Sequence, residues 1–390
     1  MTARSHQRVP EAKHRREHPD LEDIHMKTIH RFAPVAAVGV AALLLASCGS
    51  RPTEGSGSTE SAAGGSGDAF KACMVLDTGG VDDRSFNQSS YAGFEAAKEE
   101  NPNIDISYVA SNSDADYVPN LTAEVGKGCG TVVAVGGLMS DAVKEVAAQN
   151  PDQKFAEIDS APVADNVYGF EYNTVEGGFL GGYLAAGMTK TGTVGTWGGL
   201  NIPPVTIYMD GFWEGVQYYN QQKGKSVKVL GWDEKNPSGG TFSNSFTDQA
   251  AGRSITETLA SQGADVVMPV AGQSGLGAGA AAEAAGGSLN LIWVDTDGCV
   301  SAEQYCKYFI SSVTKNLTDA VKDYVLKAAD GDAPTGAYVG NLENEGTGLA
   351  PFNQFDAQVP AELKTELDTV KQGIIDGSIE ITSPSAIKAS

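Results

Sequence analysis

The chain has 390 residues, 41% of them hydrophobic, with 27 basic against 49 acidic residues and a formal net charge of −22. That surplus of carboxylates argues against electrostatic binding to nucleic acid or to anionic lipid headgroups. All five histidines (His6, His14, His18, His25 and His30) lie ahead of residue 31. A chain cleaved beyond them could run no Ser-His-Asp or Cys-His mechanism and could build no imidazole metal site.

Such cleavage is expected. Lys27, His30 and Arg31 precede an apolar run, Ala33 to Ala46, that ends in Leu45-Ala46-Ser47-Cys48. Basic, apolar, then small residues is the layout of a secretory signal peptide. The run falls short of the ~20 residues a helix needs to span a bilayer. Leu-Ala-Ser-Cys resembles the bacterial lipobox, so residues 1–47 read as a signal peptide and Cys48 as the lipidated residue. Residues 1–25 mix acids with bases far from the apolar run, and Met26 is the expected start of translation. Removing residues 1–47 takes away 7 basic and 5 acidic residues and leaves a chain at −24. Residues 48–68, rich in Gly and Ser, cannot bury a core and read as a flexible tether with a reach of roughly 25 Å.

From Ala69 short apolar runs alternate with amphipathic stretches. Strands are predicted at 71–77, 104–110, 131–135, 154–158 and 167–172, with helices at 86–100, 117–126, 140–149 and 174–190. The alternation then restarts, with strands at 193–197, 227–231, 265–269 and 289–295 and helices at 205–221, 248–262 and 277–285. A helix at 316–329, a strand at 337–341 and a helix near 361–373 follow. Apolar strands alternating with helices predict α/β architecture with parallel sheets flanked by helices. Two such series in some 340 residues predict two lobes with a cleft between them. The expected division is 69–172 with 300–335 for the first lobe and 173–299 with 336–390 for the second.

Four cysteines follow Cys48: Cys73, Cys129, Cys299 and Cys306. An even number in an exported chain points to disulfides. Three pairings are open, as are four free thiols; Cys299–Cys306, closing a short loop, and Cys73–Cys129, joining neighbouring elements, are favoured. No pair has the C-x₂₋₄-C spacing of structural zinc. Gly275-Leu-Gly277-Ala-Gly279 lacks the full dinucleotide fingerprint, Gly272-Gln-Ser274-Gly275 misses the G-x-S-x-G elbow, and Lys223-Gly-Lys225-Ser226 lacks the upstream glycine of a P-loop. No cofactor and no metal are expected.

In α/β sheets ligands bind beyond the carboxyl ends of strands, so the segment DTGGVDDRSFNQSSYAGFE (77–95) is the first to inspect. Gly79 and Gly80 allow a sharp turn. Ser85 and Gln88 have capping-box spacing, and Asp82 and Asp83 read as carboxylates favouring the helix dipole. This segment resembles the opening motif of the basic membrane lipoprotein family, the substrate-binding lipoproteins of nucleoside ABC transporters. GGLMSDAV (136–143), IPPVTIYMDGFWEGVQYYN (202–220), SFTDQAAGRSI (245–255), VDTDG (294–298) and SSVTKN (311–316) agree, in order, across nearly all of residues 70–340. Leu138, where relatives often carry a larger group, and the Cys299–Cys306 segment depart from the pattern.

The resemblance implies a two-lobed periplasmic-binding fold of the sugar-binding type with three hinge crossovers. It implies Phe86 as one stacking ring with Asn87 beside it, and Phe246 as the second ring, with Phe242 its rival. It also implies Asp77 and Asp141 as polar contacts, Gly272 as a point of close backbone approach, and Asp295 and Lys315 as the grip on ribose. Its partners would be a nucleoside, of the purine class, and an ABC permease, with the membrane reached only through the lipid, no nucleic acid bound, and the receptor a monomer on the outer face of the cell membrane. Stacking and charge-assisted hydrogen bonds suit a nucleoside without the analogy. A sugar or other small metabolite would satisfy the same inventory. A nucleoside-processing envelope enzyme and a sensor for a membrane kinase are the readings from other classes.

Overall fold

A computed structural model describes residues 69–387. The signal peptide, Cys48 and the tether fall outside the described residues. The first series runs β1 (Phe70–Leu76), α1 (Phe86–Glu100), β2 (Ile104–Ala110), α2 (Tyr117–Gly126), β3 (Thr131–Val135), α3 (Ser140–Gln149), β4 (Lys154–Ile158) and β5 (Val167–Tyr172). The second runs α4 (Thr174–Met188), β6 (Thr193–Gly198), α5 (Pro203–Lys223), β7 (Lys228–Leu230), α6 (Gln249–Ser261), β8 (Val266–Val270), α7 (Ser274–Ala284) and β9 (Asn290–Asp295). Then come α8 (Gly298–Ser301), β10 (Phe309–Lys315), α9 (Leu317–Ala329), β11 (Ala337–Gly340), β12 (Thr347–Leu349) and α10 (Ala361–Ile375). Among the described residues no helix is long and apolar enough to cross a membrane.

The strands form two six-stranded sheets, ordered β11-β5-β4-β3-β1-β2 and β12-β10-β9-β8-β6-β7. Every pairing is parallel except that of β12 with β10. Runs such as TVVAV of β3 and VVMPV of β8 are buried throughout, as parallel strands covered by helices on both faces must be.

The chain passes between the sheets three times, at Asn173, at Asn316 and after Gly340. These crossovers bond to one another: Asn173 N–H donates to Gly340 O (2.8 Å), Asn316 N–H to Gly346 O (2.9 Å), and the Tyr172 hydroxyl to Asn316 O (3.2 Å). The expected division at 300 and 336 differs from this topology by one strand at each boundary. Strand β10, which the sequence reading passed over, pairs with β9 in the second sheet, and β11 pairs with β5 in the first. FISSVTK looks too polar for a buried strand, but its hydroxyls are satisfied internally. Ser311 Oγ donates to Ala350 O (2.7 Å) and Ser312 Oγ accepts from Gly298 N–H (3.0 Å).

In the second lobe α4 and α5 pack backbone against backbone through glycines. A β-carbon at Gly182 would fall 2.0 Å from Phe212 O, one at Gly215 2.0 Å from Phe179 O, and one at Gly211 2.1 Å from Val175 O. Only helices without side chains at those points can approach so closely. Gly215→Ala is therefore expected to force the helices apart and destabilise the chain by about 2–3 kcal/mol, measured by urea unfolding, because overpacked cores are strained.

Both disulfides favoured from the sequence form in the structure. Cys73 bonds Cys129 across a Cα separation of 5.9 Å, and Cys299 bonds Cys306 across 4.4 Å.

Candidate functional site

The carboxyl ends of the two sheets face one cavity with about 600 Å³ of empty space, its opening to solvent included. From the first lobe, β1 delivers Asp77, α1 delivers Phe86, the turn after β3 delivers Gly136, Gly137 and Leu138, and β4 delivers Asp159. From the second come the start of α5 (Ile202, Pro204, Val205, Tyr208), Phe246, the turn after β8 (Ala271, Gly272), Asp295 after β9 and Lys315 at the end of β10. Phe86 and Phe246 thus stand on opposite lobes.

Asp77 Oδ1 accepts from Gly79 N–H (3.0 Å) and from Asn87 Nδ2 (2.8 Å). Burial holds the Asp77 carboxyl above its usual range against those bonds. Asn87 is buried behind Asp77 and does not line the cavity; it orients the carboxylate.

Asp83 accepts three backbone N–H groups at the start of α1, from Ser85 (3.0 Å), Asn87 (2.8 Å) and Gln88 (3.0 Å). It takes the capping role that the spacing assigned to Ser85, as suits a carboxylate at a helix N-terminus. Its carboxyl is nonetheless pushed up to about 7 by burial. Ser85 makes no capping bond. Its hydroxyl crosses the cleft to Asp295 Oδ2 instead.

Asp295 Oδ1 accepts from the Tyr208 hydroxyl (2.7 Å), so donors from both lobes converge on one carboxylate. Further bonds join the lobes here, among them Trp293 Nε1 donating to Arg84 O (3.4 Å) and Gln273 Nε2 to Asp82 O (3.3 Å).

Lys315 is 4% exposed and bonded to the Asp159 carboxylate. Its Nζ stands 4.7 Å from the centre of the Phe86 ring and 5.1 Å from that of Tyr172, a cation–π arrangement. Burial raises the Asp159 carboxyl while Lys315 opposes the shift. Asp159 and Asp295 both have left-handed backbones, φ 66 and 67, a strain of about 1–3 kcal/mol each that persists only where packing enforces it and that concentrates at functional sites. Lys315 is the one cation among the described lining residues, against the carboxylates of Asp77, Asp83, Asp159 and Asp295.

The structure gathers Asp77, Phe86, Phe246, Gly272, Asp295 and Lys315 around the cavity. It does not bring Asp141 there. That side chain lies exposed in the first turn of α3, because the helix has already begun at Ser140 and its next residue points outward. The lobe's further acidic contribution comes from Asp159, the residue directly after β4, which the rule of strand ends could have found. Tyr208 was missed because it lies a full turn into α5. Phe242 packs edge-on against Trp232 at 6.0 Å, outside the lining.

Glu157, fully buried beside this site, gives a pH prediction. It accepts from Ser140 Oγ (2.6 Å), its Oε2 has no partner, and burial pushes its carboxyl up to about 7. A carboxyl whose folded pKa exceeds its unfolded value stabilises the fold fully below the unfolded pKa, and that contribution is lost as pH rises through the folded one. Thermal stability is expected to fall between about pH 5 and pH 8, and Glu157→Gln to flatten that slope in melts across the series.

A family model described as "ABC transporter substrate-binding protein PnrA-like" matches residues 70–383. The chain belongs to this family. The family is one of transporter substrate-binding proteins rather than of enzymes. The chain is 30% identical over 373 residues to the "ABC transporter nucleoside-binding protein BmpA" of Lactococcus lactis, covering 90% of this chain and 99% of that one. It is 31% identical over 339 residues to a lipoprotein of Pyrococcus horikoshii, covering 83% of this receptor and 79% of that protein. An ABC transporter solute-binding protein of Aeropyrum pernix has the same fold, with a TM-score of 0.72 at 26% identity, covering 81% of the receptor and 94% of that chain.

Proposed function

We propose that this receptor is a lipid-anchored, monomeric protein on the outer face of the cell membrane that holds a nucleoside between its lobes and delivers it to an ABC permease. One observation carries the reading: Phe86 and Phe246 flank a cavity from opposite lobes, and the charged groups of its described lining are four carboxylates and a single lysine. A base between two rings gains about 1–3 kcal/mol per stacking contact. Ionised carboxylates accept both hydrogens of a vicinal diol, and Lys315 donates to a ring or hydroxyl oxygen. In this assignment Asp159 and Asp295 hold the ribose with Lys315, Asp77 reads a polar edge of the ligand, and Gly272 leaves room for the base.

Hinge motion about the three crossovers admits the ligand, and the Ser85–Asp295 contact forms on closure. The nucleoside-binding relative of Lactococcus lactis supports the ligand class, and the lipoprotein of Pyrococcus horikoshii supports the anchor at Cys48. Calorimetry with purine and pyrimidine nucleosides should give 1:1 binding with the ligand recovered unchanged. Heat with free sugars and none with any nucleoside would reject the assignment. Mass spectrometry of the membrane-extracted protein should find diacylglycerol on Cys48 and none after Cys48→Ala.

A further inference from the structure

The slot between Phe86 and Phe246 is not the end of the cleft. Past Asp159 it widens into a second chamber with about 940 Å³ of empty space, its open mouth included. Gly137, Leu138, Asp159, Ile202 and Pro204 line both spaces, so the two are continuous. A nucleoside held in the slot leaves the second chamber unused.

The chamber has two contrasting walls. Ser140, Ser160 and Glu171 give it a polar side, and Ile202, Pro203 and Ile207 an apolar one. The hydroxyls are backed by a buried acid. Ser140 Oγ donates to Glu157 Oε1 at 2.6 Å and stands 3.2 Å from Ser160 Oγ, while Glu157 Oε2 has no partner. Glu171 on β5 is half-buried, and its carboxyl is raised by burial. None of the described lining residues is basic. The nearest cation of the slot, Lys315, is already bonded to Asp159. Glu171 is therefore the lining carboxylate of the chamber that no cation pairs.

We propose that the second chamber is an extension subsite that takes a neutral or cationic group carried on the ligand's sugar and rejects an anionic one. The inference rests on the nucleoside reading. If Asp159 and Asp295 hold the vicinal diol, the 5′ carbon is the free end of the sugar, and Asp159 stands at the passage between the two spaces. An aliphatic or thioether substituent at that carbon lies against the Ile202–Ile207 wall. An ammonium group finds Glu171 and the two hydroxyls. A phosphate meets Glu171 with no free basic partner, since Lys315 is held by Asp159, and like charges brought together repel. The receptor would thus take up 5′-substituted nucleosides of the kind left when a group-transfer reaction consumes a larger nucleoside cosubstrate.

Calorimetric titration of the full-length chain tests this with adenosine, 5′-deoxy-5′-methylthioadenosine, 5′-amino-5′-deoxyadenosine and adenosine 5′-monophosphate. The neutral and amino analogues are expected within about 3-fold of adenosine, and the monophosphate at least about 100-fold weaker. Glu171→Lys should narrow the monophosphate gap at least about 10-fold while weakening the amino analogue. Ser160→Trp, which fills the chamber, should cut affinity for both neutral and amino analogues and spare adenosine. Adenosine binding normally while all three 5′-substituted ligands fail together would overturn the subsite and leave the nucleoside reading intact. Equal affinity of Ser160→Trp for adenosine and the analogues would overturn it too. If adenosine itself does not bind, the nucleoside reading falls and the subsite with it.

Discussion

Lys315→Ala is expected to weaken nucleoside binding by at least about 30-fold and to destabilise the unliganded protein by about 3–5 kcal/mol. The two effects have separate origins. Lys315 is buried at the end of β10, bonded to Asp159 and stacked over Phe86 and Tyr172. Removing it strands a buried carboxylate, and breaking one half of a buried pair costs far more than the pair itself contributes. The binding loss comes from a charge-assisted donor that the ligand no longer meets. A second substitution distinguishes the two. Lys315→Ala combined with Asp159→Asn should recover much of the lost stability in a urea titration, since no unpaired charge remains, yet should recover no affinity in calorimetry. Full affinity in the single variant would reduce Lys315 to a structural role.

Loss of the Cys73–Cys129 bond should be the other large effect. The two residues are 56 apart in sequence, joining β1 to the segment that leads into β3, and both are buried. Closing a loop of that length in the unfolded chain is worth about 4 kcal/mol on the chain-entropy account, against about 2 kcal/mol for the short Cys299–Cys306 loop. Cys73→Ala with Cys129→Ala should therefore lower the melting temperature by roughly 10 °C. Cys299→Ala with Cys306→Ala should have about half that effect. Affinity should be preserved in the first pair of substitutions, because neither residue lines the cavity. Reductant in the melt should reproduce the larger loss only where the buried bond becomes accessible, so the substituted chain is the cleaner measurement.

The sequence determined the element order, because strand and helix each write a local period of burial into the chain. The helix Phe86–Glu100 and the strand Ile104–Ala110 sit where their patterns place them. The rule of strand ends pointed to the segment that begins at Asp77, and the family resemblance named Asp77 within it and Asp295 at the end of β9.

What it did not contain were facts set by partners distant along the chain. Strand β10 reads as polar until Ala350 and Gly298 are seen to satisfy its serines, and so the lobe boundary shifted with it. Ser85 and Gln88 have the spacing of a capping box, but Asp83 was already placed to take those N–H groups, which freed Ser85 for a carboxylate 210 residues away. Asp141 and Asp159 are both acids beyond strand ends. Only the helical phase of α3, which turns one outward, and the buried ammonium of Lys315, 156 residues from the other, decide which of them faces the cleft. Local periodicity is carried by neighbours three or four residues apart and is legible in one dimension. Hydrogen bonds and ion pairs across a cleft depend on closing loops of more than 150 residues, and only the folded chain fixes which side chains meet.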